Sequence, residues 1–187
     1  MVSAADIVTE VSRLTSRHRL LAAGAETAAV TENDQLIALL DASRALDAAG
    51  IPHALIGGIA VGIRSGLPRA TEDVDLAVRT TDVDELVSTM TATGFSHRGT
   101  HEHSINFRHD NGEPVQLALD PSFDSLIERA EEIEISGHTV RVVTREDLIA
   151  MKERSAHAPS RRRSKALRDL ADVELLRGDV PEEDEGW

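Results

Sequence analysis

The chain has 187 residues, a formal net charge of −13 and no cysteine. That length fits one domain with small terminal additions. The acidic balance argues against broad, non-specific binding to nucleic-acid phosphates but leaves room for a local basic patch. The missing cysteines exclude disulfides, thiolate metal sites and a cysteine nucleophile.

Aromatic residues make up only 2% of the chain, so its core must be built from Ala, Val, Leu and Ile. No basic-then-apolar leader follows Met1 and no run of 18 apolar residues occurs, so a cytoplasmic protein without a membrane span is expected. Residues 3–22 predict a helix with Ser3 as cap, sparsely apolar and therefore a peripheral arm ended by Gly24. A second helix is predicted with Thr31 as cap, a buried face of Leu36, Ile37, Leu39, Leu40 and Leu46, and Gly50 as stop. Pro52 forces extended chain into a first strand, His53 to Ile56. The segment IGGIAVGIRSGLPRATEDVDLAV, residues 56–78, reads as strand end, double-glycine turn, short helix, loop and second strand. Thr81 or Asp82 then opens a helix through about Thr93, closed by Gly94. His101 to His109 alternates as a strand, Asp110-Asn111-Gly112 turns the chain, and Val115 to Asp120 returns. A short helical turn is predicted from Pro121 to Glu128. A hairpin around Ser136-Gly137 pairs Glu131–Ile135 with Thr139–Val143. Thr144 caps a helix with Leu148, Ile149 and Met151 inside. A last helix from about Arg161 to Arg177 is expected to bury Leu167, Leu170, Val173 and Leu176. The acidic run from Glu182 to Glu185 predicts a solvated, disordered tail. The order gives an α+β fold, a mixed sheet flanked by helices. Residues 1–50 form a helical segment packed on the core, 51–178 the main domain and 179–187 the tail.

Side chains at i and i+2 of a strand share a face, so Asp73 and Asp75 present two carboxylates together. Such a pair suits Mg²⁺, which binds through one or two carboxylates and completes its shell with water and substrate phosphates. Gly57 and Gly58 leave backbone N–H groups bare at a helix start, where phosphate can approach. Glycine turn plus Asp-x-Asp is the minimum equipment for metal-assisted phosphoryl or nucleotidyl transfer. A bare Asp-x-Asp is common by chance and on its own reads as a solvated strand start. The double glycine and Arg69-x-Thr71 at this spacing make the metal site the better reading.

These residues, Gly57-Gly58 with Arg69-x-Thr71-x-Asp73-x-Asp75-Leu76, resemble the nucleotidyltransferase superfamily of DNA polymerase β. The form is most similar to its AbiEii branch, which includes MenT-like toxins of toxin–antitoxin pairs. Arg145 to Lys152 resembles the branch motif ending in lysine, and Arg168-Asp169-Leu170-Ala171-Asp172 its final acidic helix. The resemblance implies a small mixed sheet flanked by helices and a Mg²⁺-dependent nucleotidyltransferase using an NTP. It further implies metal on Asp73 and Asp75, phosphate on Gly57, Gly58 and Arg69, and Lys152 at the nucleotide with Asp169 positioning it. For AbiEii-like toxins it implies transfer to RNA, notably the tRNA 3′ end, and an antitoxin partner.

The superfamily's third carboxylate falls near Ala118, one strand step from Asp120. Asp120 either reaches the site from there or is a turn residue before Pro121. The turn lacks the usual hydroxyl, Ile59 standing after Gly58, and Ser65 is a remote substitute. Arg64 and Arg69 could each meet a triphosphate or pair locally. Arg154, Arg161, Arg162, Arg163 and Lys165 make a basic patch, read as a triphosphate or RNA contact or as a solvated helix face. There is no interleaved aromatic platform for bases. His101-Glu102-His103 reads as surface strand rather than metal site, and no Gly-x-Ser-x-Gly elbow appears. Two rival readings stand beside the tRNA-directed transferase. One is transfer to a small hydroxylated molecule of the aminoglycoside type; the other is a degenerate nucleotide-binding module.

Overall fold

The computed structural model describes residues 2–23, 33–80 and 82–178. Gly24, Thr31, Thr81 and the acidic tail from 179 lie outside the described residues. In chain order the elements are α1 (Ala4–Ala22), α2 (Asp34–Ala48), β1 (His53–Leu55), α3 (Gly57–Ser65), β2 (Val74–Val78), α4 (Val83–Ala92), β3 (Phe95–His101), β4 (Ser104–His109) and β5 (Pro114–Ala118). A 3-10 turn (Pro121–Phe123) leads into α5 (Asp124–Arg129), followed by β6 (Glu131–Ile135), β7 (His138–Val142), α6 (Arg145–Ala156) and α7 (Arg163–Arg177). The seven strands form one mixed sheet in the order β3-β4-β5-β2-β1-β7-β6. β2 is the central strand. It runs antiparallel to β1, with Leu55 opposite Leu76, and parallel to β5, with Asp75 opposite Gln116.

Several local expectations hold. Ser3 and Asp6 form a full capping box on α1, Asp82 caps α4 through Glu85 N–H, and Thr144 caps α6 through Asp147 N–H. Gly50, Gly94, Gly112 and Gly178 all take positive φ at stops and turns. The core is aliphatic apart from Phe95 and Phe107, with Leu39, Leu46, Leu55, Leu76, Leu117 and Ile127 at its centre.

Five expectations need correction. α1 is not peripheral: Ile7, Val8 and Val11 are buried, and α1 packs against α2 and α3. A strand precedes the predicted one, because His101 ends β3 and Glu102-His103 is the turn into β4. β5 stops at Ala118, leaving Asp120 outside the strand as cap of the 3-10 turn. On α7 the leucines Leu167 and Leu170 are 57% and 40% exposed, while Asp169 and Asp172 are buried beside Val173 and Leu176. Ile37 on α2 is likewise exposed. Singly exposed leucines are ordinary on a surface, and on α7 the opposite face of the helix is taken by the two aspartates. A set of ion pairs holds them there.

Candidate active site

β1 delivers the chain into α3 through Ile56, whose N–H donates to the Asp75 carbonyl at 3.0 Å. No side chain caps the start of α3, so its first N–H groups stay open beside β2. Gly57 takes φ +68°, and a Cβ there would collide with the Asp75 carboxylate. A Cβ on Gly58 would lie 2.5 Å from Thr71 Oγ1. The two glycines therefore let the helix start lie directly against the acid-bearing strand and the loop before it.

Asp73 precedes β2 and Asp75 lies inside it, and both line one hollow of about 420 Å³. Burial, and then the charge of Asp73, push the Asp75 carboxyl up to about 7. Burial, with Glu72 adding repulsion, raises Asp73 as well. Two carboxylates that resist ionising side by side are what a divalent cation relieves. Among the described residues no group of three or more His, Cys, Asp or Glu forms a metal cluster. The donor set is thus a hard oxygen pair, which fits Mg²⁺ with its retained waters rather than zinc.

α6 and α7 supply the opposite wall. Lys152 Nζ lies 3.0 Å from Asp169 Oδ1 and 2.8 Å from Asp172 Oδ2. Asp169 also accepts from Ser155 Oγ at 3.0 Å and from Arg161 Nη2 at 2.6 Å. Its burial favours the neutral form, but Lys152, Arg161 and Ser155 hold the carboxyl below its usual range. Asp172 takes Arg69: Nη2 donates at 2.7 Å, and Nε sits 2.5 Å from Oδ1 without hydrogen-bond alignment. Arg69, Lys152 and Arg161 all line the hollow and are held there by two buried aspartates. Lys165 and Arg168 join the lining from the exposed side of α7.

The loop carrying Arg69 to Asp73 is fastened from the N-terminal helices. Thr15 Oγ1 donates to the Thr71 carbonyl at 2.9 Å and accepts from Thr71 N–H at 3.1 Å. Gln35 Nε2 donates to the same carbonyl at 2.8 Å, and Arg19 Nη2 to the Glu72 carbonyl at 2.7 Å. A second, more apolar hollow of about 450 Å³ adjoins the first, sharing Asp75, Gln116, Lys152, Arg161 and Asp169.

A sequence profile described as nucleotidyl transferase AbiEii toxin, type IV toxin–antitoxin system, matches residues 38–185. The chain belongs to the AbiEii family. It is a nucleotidyltransferase, and its sheet and helices match nucleotidyltransferase-like structures. An antigenic nucleotidyltransferase-like protein from Paracoccidioides brasiliensis is 25% identical, with TM-score 0.57, covering 81% of this chain and 80% of that one. The antibiotic-resistance factor ANT(2'')-Ia is 19% identical with TM-score 0.57, over 80% and 92% of the two chains. The lincosamide antibiotic adenylyltransferase LnuA is 13% identical with TM-score 0.55, over 80% and 98%. The last two show likeness of fold. No curated protein matches the sequence significantly.

Of the residues singled out in the AbiEii motifs, Gly58, Arg69, Asp73, Asp75, Lys152 and Asp169 line the first hollow. Gly57 and Asp120 line the second. Asp120 accepts from Ser122 N–H at 2.8 Å, which holds its carboxyl below the usual range as the cap of a turn. Arg64 turns away, donating to the carbonyls of Val142 and Val143 and pairing with Glu131. Ser65 Oγ stays at the end of α3, near Gly62 and Leu67. Arg162 and Arg163 are exposed and line neither hollow, while Arg154 lines the second. His101 and His103 lie at a hairpin turn, so they share no strand face. Asp172, quoted in the final motif without a role of its own, lies on the same helix face as Asp169 by its i, i+3 spacing. Gln116 escapes the sequence reading, because only cross-strand register reveals it beside Asp75.

Proposed function

We propose that this AbiEii-family chain moves a nucleotide from an NTP onto an RNA hydroxyl, that of the tRNA 3′ end, as the toxin of a toxin–antitoxin pair. The carrying observation is the first hollow itself: the Asp73–Asp75 pair facing an uncapped helix start and a tethered set of cations. On a chain of net charge −13, six Lys or Arg line this hollow against five Asp or Glu, and His18 adds to its rim. That local balance favours a phosphate-rich acceptor over a cationic aminoglycoside-type one.

Asp73 and Asp75 would hold Mg²⁺, which supplies charge neutralisation of the triphosphate when bound. The open N–H groups at Gly57 and Gly58 receive phosphate oxygens. Lys152 and Arg69, already aimed by Asp169 and Asp172, offset the charge that develops on the leaving pyrophosphate. The acceptor oxygen bonds to the α-phosphorus, the bond to pyrophosphate breaks, and the hydroxyl proton passes to solvent. Asp120 stands in the adjoining hollow, where it can contact the ribose or the acceptor. Residues 51–178 carry the transferase, with α1 and α2 packed on it. A cytoplasmic setting supplies both NTP and tRNA, and a cognate antitoxin would hold the activity in check.

The test is incubation with Mg²⁺, total tRNA and each α-labelled NTP in turn, beside an Asp73→Ala/Asp75→Ala control. Label entering tRNA only with the intact protein is expected and names the nucleotide. No incorporation with any NTP, while NTP still binds, removes tRNA as the acceptor.

A further inference from the structure

We infer that Gln116 sets the number of divalent cations this site takes, and sets it at one. The inference rests on the transferase reading above. Gln116 lies directly opposite Asp75 on the parallel pair β2–β5 and lines both hollows. Opposite residues of neighbouring strands share a face, so its side chain stands beside the Asp75 carboxylate. Its Nε2 donates to Asn106 Oδ1 at 3.1 Å, across the next strand pair. That bond turns the amide nitrogen away and leaves Oε1 for the acid side. Asn106 is thereby the positioning residue for Gln116.

The result is three oxygens and two charges. A carboxamide oxygen can ligate or orient a hard cation, but it adds nothing to the negative charge that holds one. Two carboxylates match one dication. A second would need a further protein carboxylate beside the first two, because a bound triphosphate already shares its charge between the one cation and Lys152 and Arg161, which line the same hollows. Asp120 does not supply it: its carboxylate caps Ser122, and no three-acid cluster forms among the described residues. The site therefore takes one tight cation, with nucleotide present as well as without it. Gln116→Glu, nearly the same in shape, creates the missing charge and recruits a second.

The experiment counts Mn²⁺ bound per protein–nucleotide complex, by the paramagnetic signal of free Mn²⁺, with α,β-methylene NTPs. The wild type is expected to bind one tightly, and Gln116→Glu two, its second at least tenfold tighter than any second site in the wild type. Gln116→Leu should stay at one. Two tight cations in the wild type, or one in a folded Gln116→Glu, overturns the inference and leaves the transferase reading standing. Asp73→Ala/Asp75→Ala binding Mn²⁺ as well as the wild type sinks both.

Discussion

Replacing Asp75 by asparagine is expected to stabilise the protein, and to do so more at high pH. The carboxyl titrates at about 7 in the fold because burial and then Asp73 disfavour its charge. In the unfolded chain it titrates at about 3.9. The folded state thus holds the proton more tightly, so stability falls as pH rises between those two values and is level outside them. At about 1.4 kcal/mol per unit, the full gap of about three units corresponds to roughly 4 kcal/mol; sharing the titration with Asp73 reduces this to about 2–4.

Asparagine keeps the shape that rests on Gly57 and never ionises. In urea denaturation with a chelator present, the advantage of Asp75→Asn should grow by about 1–3 kcal/mol between pH 5 and pH 8. Mg²⁺ should then offset most of that advantage. At a hundredfold excess over its dissociation constant it adds about 2.7 kcal/mol to the wild type and little to the variant. An advantage equal at both pH values, or a variant less stable at pH 8 without metal, would refute the claim that this site is strained by unrelieved charge.

Gly57→Ala should cost at least about 1–2 kcal/mol from the positive φ alone, and the collision with Asp75 adds to that. Thermal melting gives the stability loss, and Mn²⁺ binding should fall with it because the carboxylate is displaced. Asp172→Ala leaves Lys152 with one partner and Arg69 without its carboxylate, in a wall that is largely buried. A loss of about 3–5 kcal/mol in urea is expected, against much less for an exposed pair such as Arg13–Glu10. Thr15→Val removes both bonds to Thr71 and should cost about 1–3 kcal/mol. Nucleotide transfer should fall further than stability explains, seen as a lower kcat in protein that melts well above the assay temperature.

The parts of the site that are legible in the sequence are those whose chemistry is local. Gly57-Gly58, Asp73-x-Asp75 and the i, i+3 pair on α7 each lie within a few residues of chain, where spacing alone fixes a shared face. What is not legible depends on partners far along it. Thr15 and Thr71 are 56 residues apart, and nothing in the polar helix α1 announces that one of its hydroxyls holds an active-site loop. Gln116 matters only through its register with Asp75, a property of two strands rather than of either. The β3–β4 turn was hidden for another reason: Glu102-His103 contains none of the Gly, Asn or Pro that mark a reversal. On α7, periodicity counts leucines as inward because it cannot see Lys152, Arg161 and Arg69 waiting for Asp169 and Asp172.

Those two aspartates raise a question of design, since an anion buried at a phosphate site opposes the phosphate. Their benefit is geometric. Lysine and arginine lose rotamer freedom when they are fixed on a ligand, up to about 2 kcal/mol each, and here Lys152, Arg69 and Arg161 are fixed already. The opposition is then offset at the rim by exposed Arg168 and by exposed Lys165, whose charge also favours the ionised forms of Asp73 and Asp75. The inner cations would give the transition state its geometry, and the outer pair would give the incoming polyanion its attraction. The outer pair is exposed, while Lys152, Arg69 and Arg161 are only partly so. Added salt should therefore weaken the approach of a nucleic-acid acceptor much more than it weakens the held NTP.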